Sequence, residues 1–257
     1  MPVDGGEIWA DDTGGDGPTL VLLHPGWGDS SIWLPVLDRL TSRSRVIRYD
    51  TRGFGKSPAP SAPFSQVGDL AVVLDRCDVD RAVLIGHSGG GGTAIGLALA
   101  DPARVSGLLL LAPGVPDYPW PQDDPYFRQF EALYAAGDRD GLADLGLRTW
   151  AAAGADQAAR EQIRGAAAAF FRVGDHERPD PPAYPRLGQL RVPAVMAVGD
   201  REYPMVARAA ADIAARIPGC RSIHVPGADH LVPLRVPALI AELTGQLGAN
   251  PDPSGPG

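Results

Sequence analysis

Short apolar runs punctuate the chain at residues 19–24, 45–49, 82–86, 105–111, 194–198 and 222–225, built mainly of Val, Ile and Leu. They lack the strict in-out alternation of a half-exposed strand, so each reads as a strand buried on both faces. Between most of them the apolar positions fall at helical spacing, over residues 31–40, 67–75, 90–100, 206–217 and 233–247. Strands alternating with helices predict a mostly parallel sheet between two helix layers, a three-layer α/β fold. The polar, glycine-broken stretch 7–15 is expected to add an antiparallel edge hairpin.

The alternation stops between residues 115 and 190. There Pro-Asp-Tyr-Pro-Trp-Pro leads into Ala-rich, helix-compatible stretches at 125–136, 142–152 and 157–171, with no strand between them. The predicted organisation is a core domain from residues 1–114 and 191–247, with a helical lid inserted at 115–190. Most lid aromatics are expected to pack the lobe onto the core. Residues 248–257, rich in Gly and Pro, have nothing to bury and are expected to be disordered.

Composition narrows the classes. A chain of 257 residues that is 44% hydrophobic can bury a sizeable core, which excludes a fibrous or disordered chain. Lys and Arg number 23 against 31 Asp and Glu, a net charge of −8 that speaks against nucleic acid or anionic lipid as a partner. Cys77 and Cys220 lack C-x-x-C spacing, so neither a zinc site nor a disulfide framework is expected. Residues 1–13 show no basic segment followed by an apolar run, and no stretch approaches the roughly 18 apolar residues of a spanning helix. The expectation is a cytoplasmic protein acting on a small molecule away from membranes, as a monomer or a homodimer.

Candidate chemistry concentrates at Gly86-His87-Ser88-Gly89-Gly90, a G-x-S-x-G string placed after an apolar run and before a small-residue helix. A serine lifted out at a strand-to-helix turn needs torsions that a Cβ resists, and small neighbours let the turn close. The first amides of that helix then favour a developing oxyanion. Ser88 is therefore the candidate nucleophile. A phosphate loop is the competing use of such glycines, but no Lys-Ser/Thr pair follows and no G-x-G-x-x-G occurs.

A serine hydroxyl needs a base, commonly a histidine whose second nitrogen is held by a carboxylate. Of five histidines, His87 reads as local support in the turn, and His176 falls in the lid. His224, inside a predicted strand, is expected to be a satisfied core histidine, while His24 is expected to organise its loop. His230 lies in the loop between the last strand and the last helix, at a strand end where reactive groups gather. For the carboxylate, the loop 199–204 offers Asp200 and Glu202. Asp229 reads as a solvated loop residue and Asp117 as a remote option. The oxyanion donors are expected to be the amide of Gly89 and, from the loop His24-Pro25-Gly26-Trp27, the amide of Trp27 with Gly26 beside it.

With nucleophile, acid and histidine in that chain order, the sequence resembles the α/β-hydrolase superfamily over about residues 6–247. Asp50-Thr-Arg52-Gly53-Phe-Gly55-Lys-Ser57 is similar to its D-x-R-G-x-G-x-S turn, and Asp101-Pro-Ala-Arg104-Val105 to its D-P-x-R-V connector. Small-lid esterases and enol-lactonases look nearest. The resemblance places the acid three residues after Gly199, favouring Glu202 over Asp200, although the family's usual residue there is aspartate. Epoxide hydrolases and haloalkane dehalogenases carry an aspartate nucleophile, so Ser88 argues against both. The implied activity is hydrolysis of a carboxylic ester or lactone, without metal or organic cofactor, on substrates with an uncharged or apolar acyl group. The alternatives are C–C bond or amide cleavage by the same triad, a cofactor-free perhydrolase or haloperoxidase, and a non-catalytic ligand-binding protein on the same fold. Arg128, Arg148, Arg164 and Arg172 are expected on solvated helix faces.

Overall fold

The computed structural model describes residues 1–248. A two-residue ribbon, β1 (Pro2–Val3) against β2 (Gly6–Glu7), precedes a seven-stranded sheet. The sheet contains β3 (Ala10–Asp12), β4 (Thr19–Leu23), β5 (Arg45–Tyr49), β6 (Ala82–His87), β7 (Val105–Leu111), β8 (Ala194–Gly199) and β9 (Arg221–Val225), in the order β3-β5-β4-β6-β7-β8-β9. Every pair is parallel except β3 with β5. The three-layer α/β fold read from the sequence is therefore present.

Packing explains the strand composition. Every residue of β6 and β8 is buried, as expected of central strands covered by helices on both faces. One face carries α2 (Gln66–Arg76), α3 (Gly89–Ala100) and α7 (Pro204–Arg216), the other α1 (Leu34–Thr41) and α9 (Pro237–Gly248). The connection from β7 to β8 holds α4 (Pro125–Ala135), α5 (Arg139–Trp150) and α6 (Gln157–Val173), and none of its residues joins the sheet. No helix among the described residues is long and apolar enough to cross a membrane.

Four local expectations change. The 7–15 stretch forms no hairpin of its own. Gly5, at φ +68°, turns the chain earlier, between β1 and β2, and β3 pairs instead with the distant β5. The single helix expected over 233–247 is two, α8 (Val232–Arg235) and α9, because Pro237 has no amide hydrogen to continue a helix and starts a new one. His224 is exposed and not a core histidine, since β9 is the sheet's edge and only Val225 of it is fully buried. Gly248 closes α9, while the rest of the expected disordered tail, residues 249–257, lies outside the described residues.

Candidate active site

The turn after β6 forms as the glycines require. Ser88 has φ +52° and ψ −119°, a strained conformation for a residue with a Cβ. It is held from both sides: its amide donates to the Leu111 carbonyl at 2.9 Å, and its carbonyl accepts from the amides of Gly91 and Gly114 at 2.9 and 2.8 Å. Gly86 and Gly90 let α3 lie against the strands. A Cβ on Gly86 would stand 2.6 Å from the Gly90 carbonyl oxygen, and one on Gly90 2.5 Å from the Leu23 carbonyl oxygen.

Loops at the strand ends bring the distant groups together. His230 Nδ1 lies 2.8 Å from Glu202 Oε2, with both side chains almost wholly buried. The other Glu202 oxygen accepts the Tyr203 amide at 2.8 Å, which fixes the carboxylate's orientation. Asp200 is exposed and points away, bracing the neighbouring turn by accepting the Gly227 amide at 2.8 Å. The structure thus pairs Glu202, and not Asp200, with His230. Asp229 is no solvated loop residue. It is fully buried and accepts from the amides of Ala153 and Leu231 and from Arg235, so it ties the His230 loop to the helical segment. Asp117 is exposed at φ +65° on the wall of the larger cavity.

On the opposite side, the loop after β4 faces the serine turn. The amides of Gly26 and Trp27 donate to no acceptor among the described residues, and a Cβ on Gly89 would lie 3.7 Å from the Gly26 nitrogen. The unpartnered Gly26 amide therefore stands close to Gly89, the residue after Ser88. His24 organises that loop as expected: Nδ1 meets the Pro25 carbonyl at 2.8 Å, and Nε2 accepts the Thr51 amide at 3.0 Å. Asp50 accepts the amides of Ser30 and Lys56, and Arg52 forms a buried bidentate pair with Asp69, so both act as structural ties.

Two cavities meet here. The smaller, about 160 Å³, is lined by Ser88 and His230 with Trp27, Tyr126, Trp150 and Met205 among its largely apolar walls. The larger, about 830 Å³, starts at Gly26 and Gly89 and shares Gly114 and Trp120 with the smaller. His87, behind Ser88, is fully buried with neither ring nitrogen hydrogen-bonded among the described residues, and burial, with His230 beside it, holds its pKa well below the usual histidine range.

A family model described as "Alpha/beta hydrolase family" matches residues 20–243. The chain belongs to the alpha/beta hydrolase family. Among curated proteins it is similar to the Caulobacter segnis protein named "Putative carbamate hydrolase RutD", 34% identical over 119 residues, 44% of this chain and 42% of that protein. The chain thus spans under half the length of that relative. Among solved structures, the enol-lactonase from Burkholderia xenovorans LB400 superposes with a TM-score of 0.78 at 24% identity, covering 96% of this chain and 98% of that one, which supports the fold alone. Est816, an N-acyl homoserine lactone degrading enzyme, superposes at 0.76 with 26% identity over 95% and 98% of the two chains.

Several side-chain contacts of this site carry no signal in the sequence. Trp150 packs on the His230 ring with centroids 4.6 Å apart, and Trp27 Nε1 donates to the Tyr126 hydroxyl at 2.8 Å. Tyr203, next to Glu202, donates its hydroxyl to Asp124, the residue capping α4, at 2.8 Å. Gln162 of α6 accepts the Asp29 amide at 2.9 Å and donates to Ser31 Oγ at 2.7 Å. Aromatic content marks the helical segment as a wall, but only the assembled fold shows which aromatics reach the histidine.

Proposed function

We propose that the protein is a serine hydrolase that cleaves a carboxylic ester or lactone through an acyl-enzyme. The observation that carries this reading is the buried His230–Glu202 pair at 2.8 Å, opening on the same cavity as Ser88 at its strained turn. Glu202 accepts Nδ1–H of His230, which leaves Nε2 as the base. His230 takes the Ser88 proton as Oγ attacks the substrate carbonyl, and the amides of Gly89 and Trp27, with Gly26 adjoining, hold the oxyanion. The protonated imidazole, stabilised by Glu202, then gives its proton to the departing alcohol oxygen. Water enters, loses a proton to His230 and attacks the acyl-enzyme, and Ser88 leaves with that proton. The apolar walls of the smaller cavity suit an uncharged substrate group. The likeness to Est816, an N-acyl homoserine lactone degrading enzyme, supports a lactone as one substrate class. A carbamate is the second reading, favoured by the likeness to RutD, and it calls on the same residues.

Fluorophosphonate labelling tests the reading, run beside p-nitrophenyl butyrate turnover on the same samples. Wild type is expected to label and turn over, and Ser88→Ala to lose the label and to lose about 10⁴-fold or more in turnover. A wild type that neither labels nor turns over would sink the proposal.

A further inference from the structure

The larger cavity changes character along α3. Near Gly89 its walls are backbone and apolar side chains, but past Thr93, towards the start of α2, it meets Tyr49, Asp180 and Glu177. Tyr49 is 1% exposed, and its hydroxyl has no hydrogen-bond partner among the described residues although the residue lines the cavity. The hydroxyl is not among the wholly buried unpartnered atoms, so it opens on the cavity, where a hydrogen-bond donor of a ligand can meet it. Half-buried Asp180 gives one oxygen to the Val67 amide at 3.2 Å and keeps acceptor capacity to spare, while Glu177 stands exposed at the rim. Neither carboxylate meets a Lys or Arg within ion-pair distance among the described residues. Desolvation first, then the charge of Asp69 on Asp180 and the charges of Asp180 and Asp69 on Glu177, push both carboxyl pKa values up. A cation between them would reverse that penalty.

The hydrogen-bonding inventory of the wall suits one kind of cation. Two carboxylates and one unpartnered hydroxyl are three accepting groups, enough to meet each N–H of a primary ammonium. A quaternary ammonium would leave the Tyr49 oxygen unmet. We infer, on the reading of the protein as a serine hydrolase, that the larger cavity selects substrates whose longer arm ends in a primary ammonium group, held by Asp180, Glu177 and the Tyr49 hydroxyl. The uncharged group of the same substrate occupies the smaller, apolar cavity beside His230.

The test compares kcat/KM for p-nitrophenyl 6-aminohexanoate and its neutral isostere p-nitrophenyl heptanoate, where the acyl part is the long arm. A second pair, 6-aminohexyl butyrate and heptyl butyrate, covers a long alcohol arm. The ammonium ester is expected to exceed its isostere by about tenfold or more in one of the two pairs, as charge-assisted hydrogen bonds require. That ratio is expected to fall towards one in Asp180→Asn, which keeps an oxygen for the Val67 amide, and in Glu177→Gln at the exposed rim. Tyr49→Phe is expected to lower it by about threefold. A wild-type ratio of one or less in both pairs overturns the inference. If p-nitrophenyl butyrate is still turned over and Ser88 still labels, the hydrolase reading stands without it. Absence of both takes the hydrolase reading and the inference together.

Discussion

The strand ends and the helical segment above them are built by different physics. Ser88 follows β6, every residue of which is buried, and glycines bring α3 close to the Leu23 carbonyl of β4. By contrast α4 has no fully buried residue, and polar ties fasten the segment: Trp27 to Tyr126, Gln162 to Asp29 and Ser31, and Arg235 to Asp156. Dense apolar packing fixes the Ser88 turn, whereas hydrogen bonds worth about 1 kcal/mol each help to position α4, and α5 and α6 join the apolar core through residues such as Leu142, Trp150 and Ile163. The Ser88 turn is thereby held tightly and the α4 part of the wall is freer to vary, which matches a family hosting many specificities on one frame.

The contrast is most open to test at the acid, where two residues of one loop differ in everything but position. Glu202→Gln is expected to lower p-nitrophenyl butyrate turnover by about 10³- to 10⁴-fold, because an amide no longer stabilises the His230 cation. Asp200→Asn is expected to stay within about threefold. Equal losses in the two would place the acid elsewhere.

Dense packing predicts the next largest effect, on stability. Gly86→Ala forces a Cβ to within 2.6 Å of the Gly90 carbonyl oxygen, so urea unfolding is expected to show a loss of about 3 kcal/mol. A polar tie should cost less. Gln162→Met leaves the Asp29 amide unpaired and is expected to cost about 1–2 kcal/mol, with faster hydrogen exchange in α6 and unchanged exchange in β6. If α6 and β6 loosened together, the two regions would be one cooperative unit and the contrast would fail.

The smallest effect tests a polar liability on the packed side. His87 stays neutral in the fold, while its unfolded pKa is near 6.5, so below that pH the unfolded chain binds a proton the native state does not. Stability must then fall as pH drops through about 6.5, by up to about 1.4 kcal/mol per pH unit from this group. Urea midpoints at pH 7.5 and 5.5 are expected to differ more in wild type than in His87→Phe. Equal differences would mean that His87 is not held neutral.

Much of this was legible along the chain because it is local. Strands β4 to β9 and the helices between them follow from apolar periodicity, and the Ser88 turn follows from where its glycines stand relative to a strand and a helix. Local patterns failed where a neighbour distant in sequence decides the outcome. His224 looks like a core residue until β9 proves to be the edge, and Asp229 looks solvated until Ala153 and Arg235 close over it.

The sequence by itself determined the layered α/β architecture, the serine at its turn and the histidine at its strand end, since backbone torsions and side-chain periodicity act over a few residues. Only the tertiary structure decided that Glu202 and not Asp200 meets His230, that Trp150 covers that ring, and that Tyr49 and Asp180 border the same cavity. These contacts join residues separated by 28 to 131 positions, and where such side chains point is set by how whole elements pack, which no local pattern encodes.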